Sequence, residues 1–176
     1  MRGGGVGHIP DKVYIHQRPE RVEGRQGFGR FKMNLIQNGK DFILTIAERK
    51  ARFPLMERLT DGKNADGKAV IRLLKPFKRH VLSITTDNGG EFARHKRVTE
   101  TLNAPVFFTA PYASWRKGTV ENTDKLIRQH IDKQMNISNI TYNKLLTIQN
   151  KSNYRPRKVI AFNQPAAPFI TYMSNL

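Results

Sequence analysis

Two acids in a chain poor in acids are the first candidates for chemistry. Asp87 follows the apolar, β-branched run VLSITT (81–86) and precedes a Gly-Gly pair, so it sits at the carboxyl end of a predicted buried strand. Catalytic groups of open α/β sheets gather at such ends. A second role suits it equally, because Asp87 or Asn88 in DNGGEF can cap the helix predicted to follow. Glu121, separated from Asp87 by 33 intervening residues, lies in the first turn of a predicted helix over Thr119–Gln134. There the helix dipole favours any carboxylate. Lys125 and Arg128 share its stripe. They read either as an i,i+4 partner set on a solvated face or as cations touching a phosphate backbone beside an acid.

These positions require a frame of strands and helices. Three short apolar runs, FKMNLIQ (31–37), FILTIAER (42–49) and FPLMERL (53–59), are separated by Asn38-Gly39 and by the bend at Arg52–Pro54. They predict three consecutive antiparallel strands. Val70, Leu73, Leu74 and Phe77 recur at helical spacing, with Pro76 weakening the last turn. After the 81–86 strand come a helix over Glu91–Leu102, a strand PVFFTAP (105–111), the Glu121 helix with Val120, Ile127 and Ile131 inward, and a helix over Tyr142–Tyr154. The order β-β-β-α-β-α-β-α-α predicts an α/β fold, a mixed sheet flanked by helices. Residues 1–27, glycine-rich and basic, read as an extended arm; 28–154 form the core; 155–176 are expected to be an irregular basic tail.

Composition narrows the partner. Lys and Arg number 31 against 14 Asp and Glu, a net charge of +17 spread along all 176 residues. An excess of this size points to a polyanion, since each neutralised phosphate releases counterions. Cysteine is absent and the five histidines show no zinc-ligand spacing, which excludes disulfides and thiolate sites and suits a reducing cytosol. No apolar run reaches the roughly 18 residues of a membrane span, and the N-terminus lacks a signal-peptide core.

Five stretches in order, QRPE (17–20), LTIAERKARF (44–53), TTDNGGEFARHK (85–96), APYASWRKGTVENTDKLIRQ (110–129) and NYRPRKVIAFNQPA (153–166), resemble the catalytic domain of IS30-family transposases, within the DDE transposase and retroviral integrase superfamily. The resemblance implies an RNase H-like fold with a five-stranded mixed sheet. It implies a bacterial, cytoplasmic, nucleoid-associated protein that cleaves and transfers DNA strands, acting as a homo-oligomer on transposon ends and target DNA. Asp87 and Glu121 match the second and third acids of the family's metal site, which holds two Mg²⁺ (or Mn²⁺) ions for in-line attack on a phosphodiester.

The first acid is missing. Where the family has Gly-Asp-Trp-Glu-x-Asp, this chain has Gly29-Arg30-Phe31-Lys32-Met33-Asn34, so Asn34 falls on the ligand position. Arg30 and Lys32 share its strand face by two-residue periodicity. An amide supplies no negative charge and a nearby ammonium opposes a cation. The expectation is a fold kept and a DNA affinity kept, with strand cleavage impaired; a non-catalytic DNA-binding remnant is the alternative. Asp41 is a weaker substitute across the hairpin. The N-terminal helix-turn-helix of such relatives has no counterpart in 1–27, so a truncated copy is expected. Lys117, Lys125, Arg128, Arg155, Arg157 and Lys158 are the expected DNA contacts. Trp115 reads as a loop anchor or a base-stacking ring, and Glu91 as a helix-dipole partner.

Overall fold

The computed structural model describes residues 11–17, 27–38, 40–59, 66–87, 92, 94–109, 125–131 and 136–175. Among the described residues six strands form one mixed sheet: β1 Val13–Tyr14, β2 Arg30–Asn38, β3 Asp41–Glu48, β4 Pro54–Leu59, β5 Ser83–Thr86 and β6 Val106–Phe108, in the order β1-β6-β5-β2-β3-β4. The three-strand meander is β2-β3-β4, antiparallel, with Asn38 opposite Asp41 at the first hairpin. On its other side β2 pairs in parallel with β5, and β5 with β6. Parallel neighbours need crossovers, and these carry α1 (Asp66–Leu74, continued by a 3-10 segment Lys75–His80) and α2 (His95–Leu102).

The predicted five strands are all present, and β1 is an addition. Its two residues, placed by sequence within an extended arm, pair in parallel with Phe107 and Phe108. The expected tail is corrected more substantially. Ala166–Ser174 forms a helix, here α4, and its Phe169 is buried in the core, stacked on Phe53 at 4.0 Å and edge-on to Phe77 at 5.3 Å. The helix over 142–153, α3, lies where periodicity places it, with Thr141 accepting a hydrogen bond from the Lys144 N–H as its cap.

The sheet has two covered faces. On one, Phe31, Met33, Leu44 and Ile46 pack with Val70 and Leu74 of α1, Val98 and Leu102 of α2, and Phe169 of α4. On the other, Ile36, Ile43 and Met56 meet Ile127 and Ile131 of the helical segment 125–131 and Leu145 and Ile148 of α3. Burial on both faces explains why β3 reads as an almost continuous apolar run rather than an alternating one. The outer edge of β4 is covered as well. The Met56 N–H donates to the Gln149 side chain at 2.8 Å, and the Asn153 amide donates to the Pro54 carbonyl at 3.0 Å. These α3 side chains satisfy backbone groups that an exposed edge would offer to another chain.

The turn from β3 to β4 is built around a buried carboxylate. Glu48 is fully buried and accepts from the N–H groups of Lys50 (2.9 Å) and Ala51 (2.6 Å). Arg52 takes the left-handed conformation, φ 64°, that closes this turn.

Candidate functional site

Strand register places Asn34 beside Asp87. The β2–β5 ladder ends on the pair Lys32 and Thr85; Asn34 stands two residues further along β2, and Asp87 follows the last residue of β5 on the same side of the ladder's end. Alternation puts Lys32, Asn34 and Asp87 on the face that Ile36 shares, the face covered by 125–131 and α3. Lys32, Asn34 and Asp87 are all partly buried. Across the next ladder Asn34 faces Thr45, whose hydroxyl donates to the Asn34 carbonyl at 3.2 Å. The backbone at position 34 is therefore held by β3 as well as by its own strand ladder.

The segment that crosses this face carries the cations predicted for it. Ile127 and Ile131 point into the core and are essentially inaccessible, while Lys125 and Arg128 are exposed. Glu121, the third expected ligand, lies outside the described residues, as do Glu91, Trp115 and Lys117. Among the described residues no three His, Cys, Asp or Glu side chains come together in a cluster able to hold a metal ion.

Asp41, the weaker candidate for the expected first ligand, lies far from Asn34 along the hairpin. It pairs with Asn38, four residues along β2 from Asn34, which is about 13 Å at strand rise. Arg30 stands equally far away at the opposite end of β2 and is buried. Only Lys32 of the two basic neighbours is close to the site, about 7 Å along the strand. The described part of the site thus offers one carboxylate, one neutral amide and one ammonium. Hard divalent cations prefer several anionic oxygens, and of the expected ligand positions the described residues supply one carboxylate, Asp87.

Of the expected DNA contacts in the tail, Arg155 and Lys158 are exposed, and Arg157 is corrected. Its side chain is buried and donates through Nη2 to the Ser152 carbonyl at 3.0 Å. Burial, with the charge of Arg155 beside it, pushes its pKa below the usual guanidinium value. It braces the end of α3 and cannot meet a phosphate without leaving the fold. Nothing in the one-dimensional run RPRK distinguishes the middle arginine from its neighbours.

Comparison with known proteins gives the same frame. No family model matches the sequence. The chain is 38% identical over 172 residues to the transposase for insertion sequence element IS4351 of Bacteroides fragilis, covering 96% of this chain and 52% of that protein. It is 30% identical over 164 residues to transposase InsI for insertion sequence element IS30A of Escherichia coli K12, covering 92% of this chain and 43% of the relative. The chain therefore spans about half the length of the curated relatives it matches. In structure it resembles the catalytic core domain of BIV integrase, with a TM-score of 0.62 at 17% identity, covering 84% of this chain and 97% of that one. The fold is RNase H-like.

Proposed function

From its homology to the IS30-family transposases along nearly its whole length, we propose that this chain is a DNA transposition domain that binds DNA and whose strand-cleaving centre is incomplete. The observation that carries this reading is the place of Asn34. It stands next to Asp87 by strand register, with Lys32 on the same face. A carboxylate there would share a divalent cation with Asp87; an amide supplies an oxygen and no charge.

The DNA-binding half of the proposal rests on charge. A net +17, with exposed Lys125 and Arg128 on the segment that crosses the site face, favours a phosphate backbone. In this reading the residues that remain position DNA, and Asp87 with Glu121 is left to hold a metal (Mg²⁺ or Mn²⁺) one ligand short. Association of copies on paired DNA ends is part of the same proposal.

Titrating Mg²⁺ or Mn²⁺ into the wild-type chain and into Asn34→Asp by calorimetry tests it. The variant is expected to gain at least tenfold in metal affinity and to nick supercoiled DNA in a metal-dependent way. Wild-type nicking at the variant's rate would defeat the claim that the centre is incomplete.

A further inference from the structure

Between α3 and α4 the chain forms a hydrogen-bonded loop with an exposed aromatic tip. Tyr154 is 55% exposed, Val159 61% and Phe162 69%, and the basic Arg155 and Lys158 stand exposed between them. Large apolar side chains pointing at water in company with cations mark a contact surface rather than a core. The loop is held firmly from within. The Arg157 carbonyl accepts from the N–H groups of Ile160 (3.1 Å) and Phe162 (2.9 Å), and the Arg157 N–H donates to the Asn163 carbonyl at 3.1 Å. With its guanidinium on the Ser152 carbonyl, Arg157 ties this loop to α3.

The tip is also strained. Ala161 (φ 52°) and Phe162 (φ 61°) are successive left-handed residues, and neither is Gly or Asn. A bulky aromatic in that region is a conformational outlier, and such outliers concentrate where function demands them. Here the strain turns the Phe162 ring outward while the surrounding hydrogen bonds keep it there. A glycine would adopt the same positive φ without steric strain, so the turn itself does not require an aromatic side chain there.

We propose that this loop is a DNA-contact element in which Phe162 stacks on unpaired or unstacked bases, while Arg155 and Lys158 grip the adjoining phosphates. The inference rests on the DNA-binding reading above and adds a stacking site to it. Charge selects the partner: aromatic and cationic side chains in alternation suit single-stranded or distorted DNA, whose bases expose their faces. A second copy of this chain is disfavoured, because each copy carries +17 and the cations lie on the same loop.

The test is fluorescence anisotropy of the full 176-residue chain on a labelled duplex and on the same duplex carrying a bulge of unpaired thymines. Wild type is expected to bind the bulged DNA about fivefold or more tightly than the duplex, the range of one base–aromatic stack. Phe162→Gly should erase that preference, leave duplex binding and its salt dependence in place, and raise the thermal midpoint by relieving the backbone. Phe162→Trp should keep the preference. A gain in stability alongside a loss of selectivity separates a contact role from a folding role. Equal wild-type affinity for the two DNAs, or a preference that survives in Phe162→Gly, overturns the stacking site and leaves the DNA-binding reading standing. If Phe162→Gly instead abolishes a concentration-dependent dimer seen in sedimentation, the surface belongs to self-association and the proposal fails. Wild type binding neither DNA overturns both.

Discussion

Glu48 and Asp87 are carboxylates at strand ends with opposite surroundings. Asp87 is partly exposed beside Asn34, whereas Glu48 is sealed in the turn after β3. Desolvation raises the Glu48 pKa above 4.5, and the hydrogen bonds it accepts from Ala51 and Lys50 offset this only in part. Burial also lifts the Tyr172 phenol nearby, with the Glu48 charge adding to the effect and Arg30 opposing it. The sign of the linkage follows from the raised value. The folded state holds the Glu48 proton to higher pH than the unfolded chain, so the stability it contributes is complete below about 4.5 and is lost as pH rises through the raised value. Glu48→Gln keeps an acceptor for the turn and cannot ionise. Measured by chemical denaturation, wild type should lose stability relative to this variant as pH climbs above 4.5; parallel curves across that window would contradict the assignment. The shared face of Lys32 and Asn34 was legible at this scale because two-residue periodicity needs only the strand; the resemblance to a known family, not the periodicity, singled out position 34. Glu48 was not legible, since a charged residue at a strand end has the same appearance in sequence whether the following turn folds over it or leaves it in water.

Among elements, α4 departs furthest from expectation. AAPFITYMS contains a proline, and Pro165 precedes it, which argues against a helix when read locally. Both prolines fall at the start, where the backbone N–H has no intrahelical partner to lose, so they are tolerated. What holds the helix is tertiary: Phe169 against Phe53 and Phe77, and Tyr172 stacked on Phe28 at 4.5 Å. Phe169→Ala is expected to cost about 3–5 kcal/mol, read as a lowered urea midpoint at unchanged slope. A loss under about 1 kcal/mol would mean that α4 is dispensable to the core. The three-strand meander and α3 were legible because their apolar spacing is long and regular. The two-residue β1 carries no pattern of its own and exists only because β6 offers an edge.

For the molecule as a whole, charge is the dominant property. Net +17 on 176 residues repels itself in the free state and is relieved by a polyanion. Affinity for a generic duplex should therefore fall about 10³-fold or more between 50 and 200 mM salt if six or more phosphates are neutralised. Anisotropy across a salt series measures this, and a flat response would remove the electrostatic basis of the proposed function. Lys125→Ala or Arg128→Ala should each reduce the slope by about one. Among the described residues no helix is long and apolar enough to cross a membrane.

The sequence alone determined the order of the elements, the charge, and the presence of an amide, Asn34, on the second strand, because these depend on residue type and on spacing along one strand or helix. It placed Asp87 at a strand end without deciding between capping and ligation. Only the tertiary structure paired the strand that holds Asn34 with the strand that Asp87 follows, separated Asp41 from Asn34, and turned Arg157 inward while leaving Phe162 out. Those outcomes depend on which strands pair and which loop carbonyls need donors, and partners distant in sequence supply both. Of the two candidate acids, Asp87 has a place in the described structure, one residue beyond β5, and Glu121 lies outside the described residues.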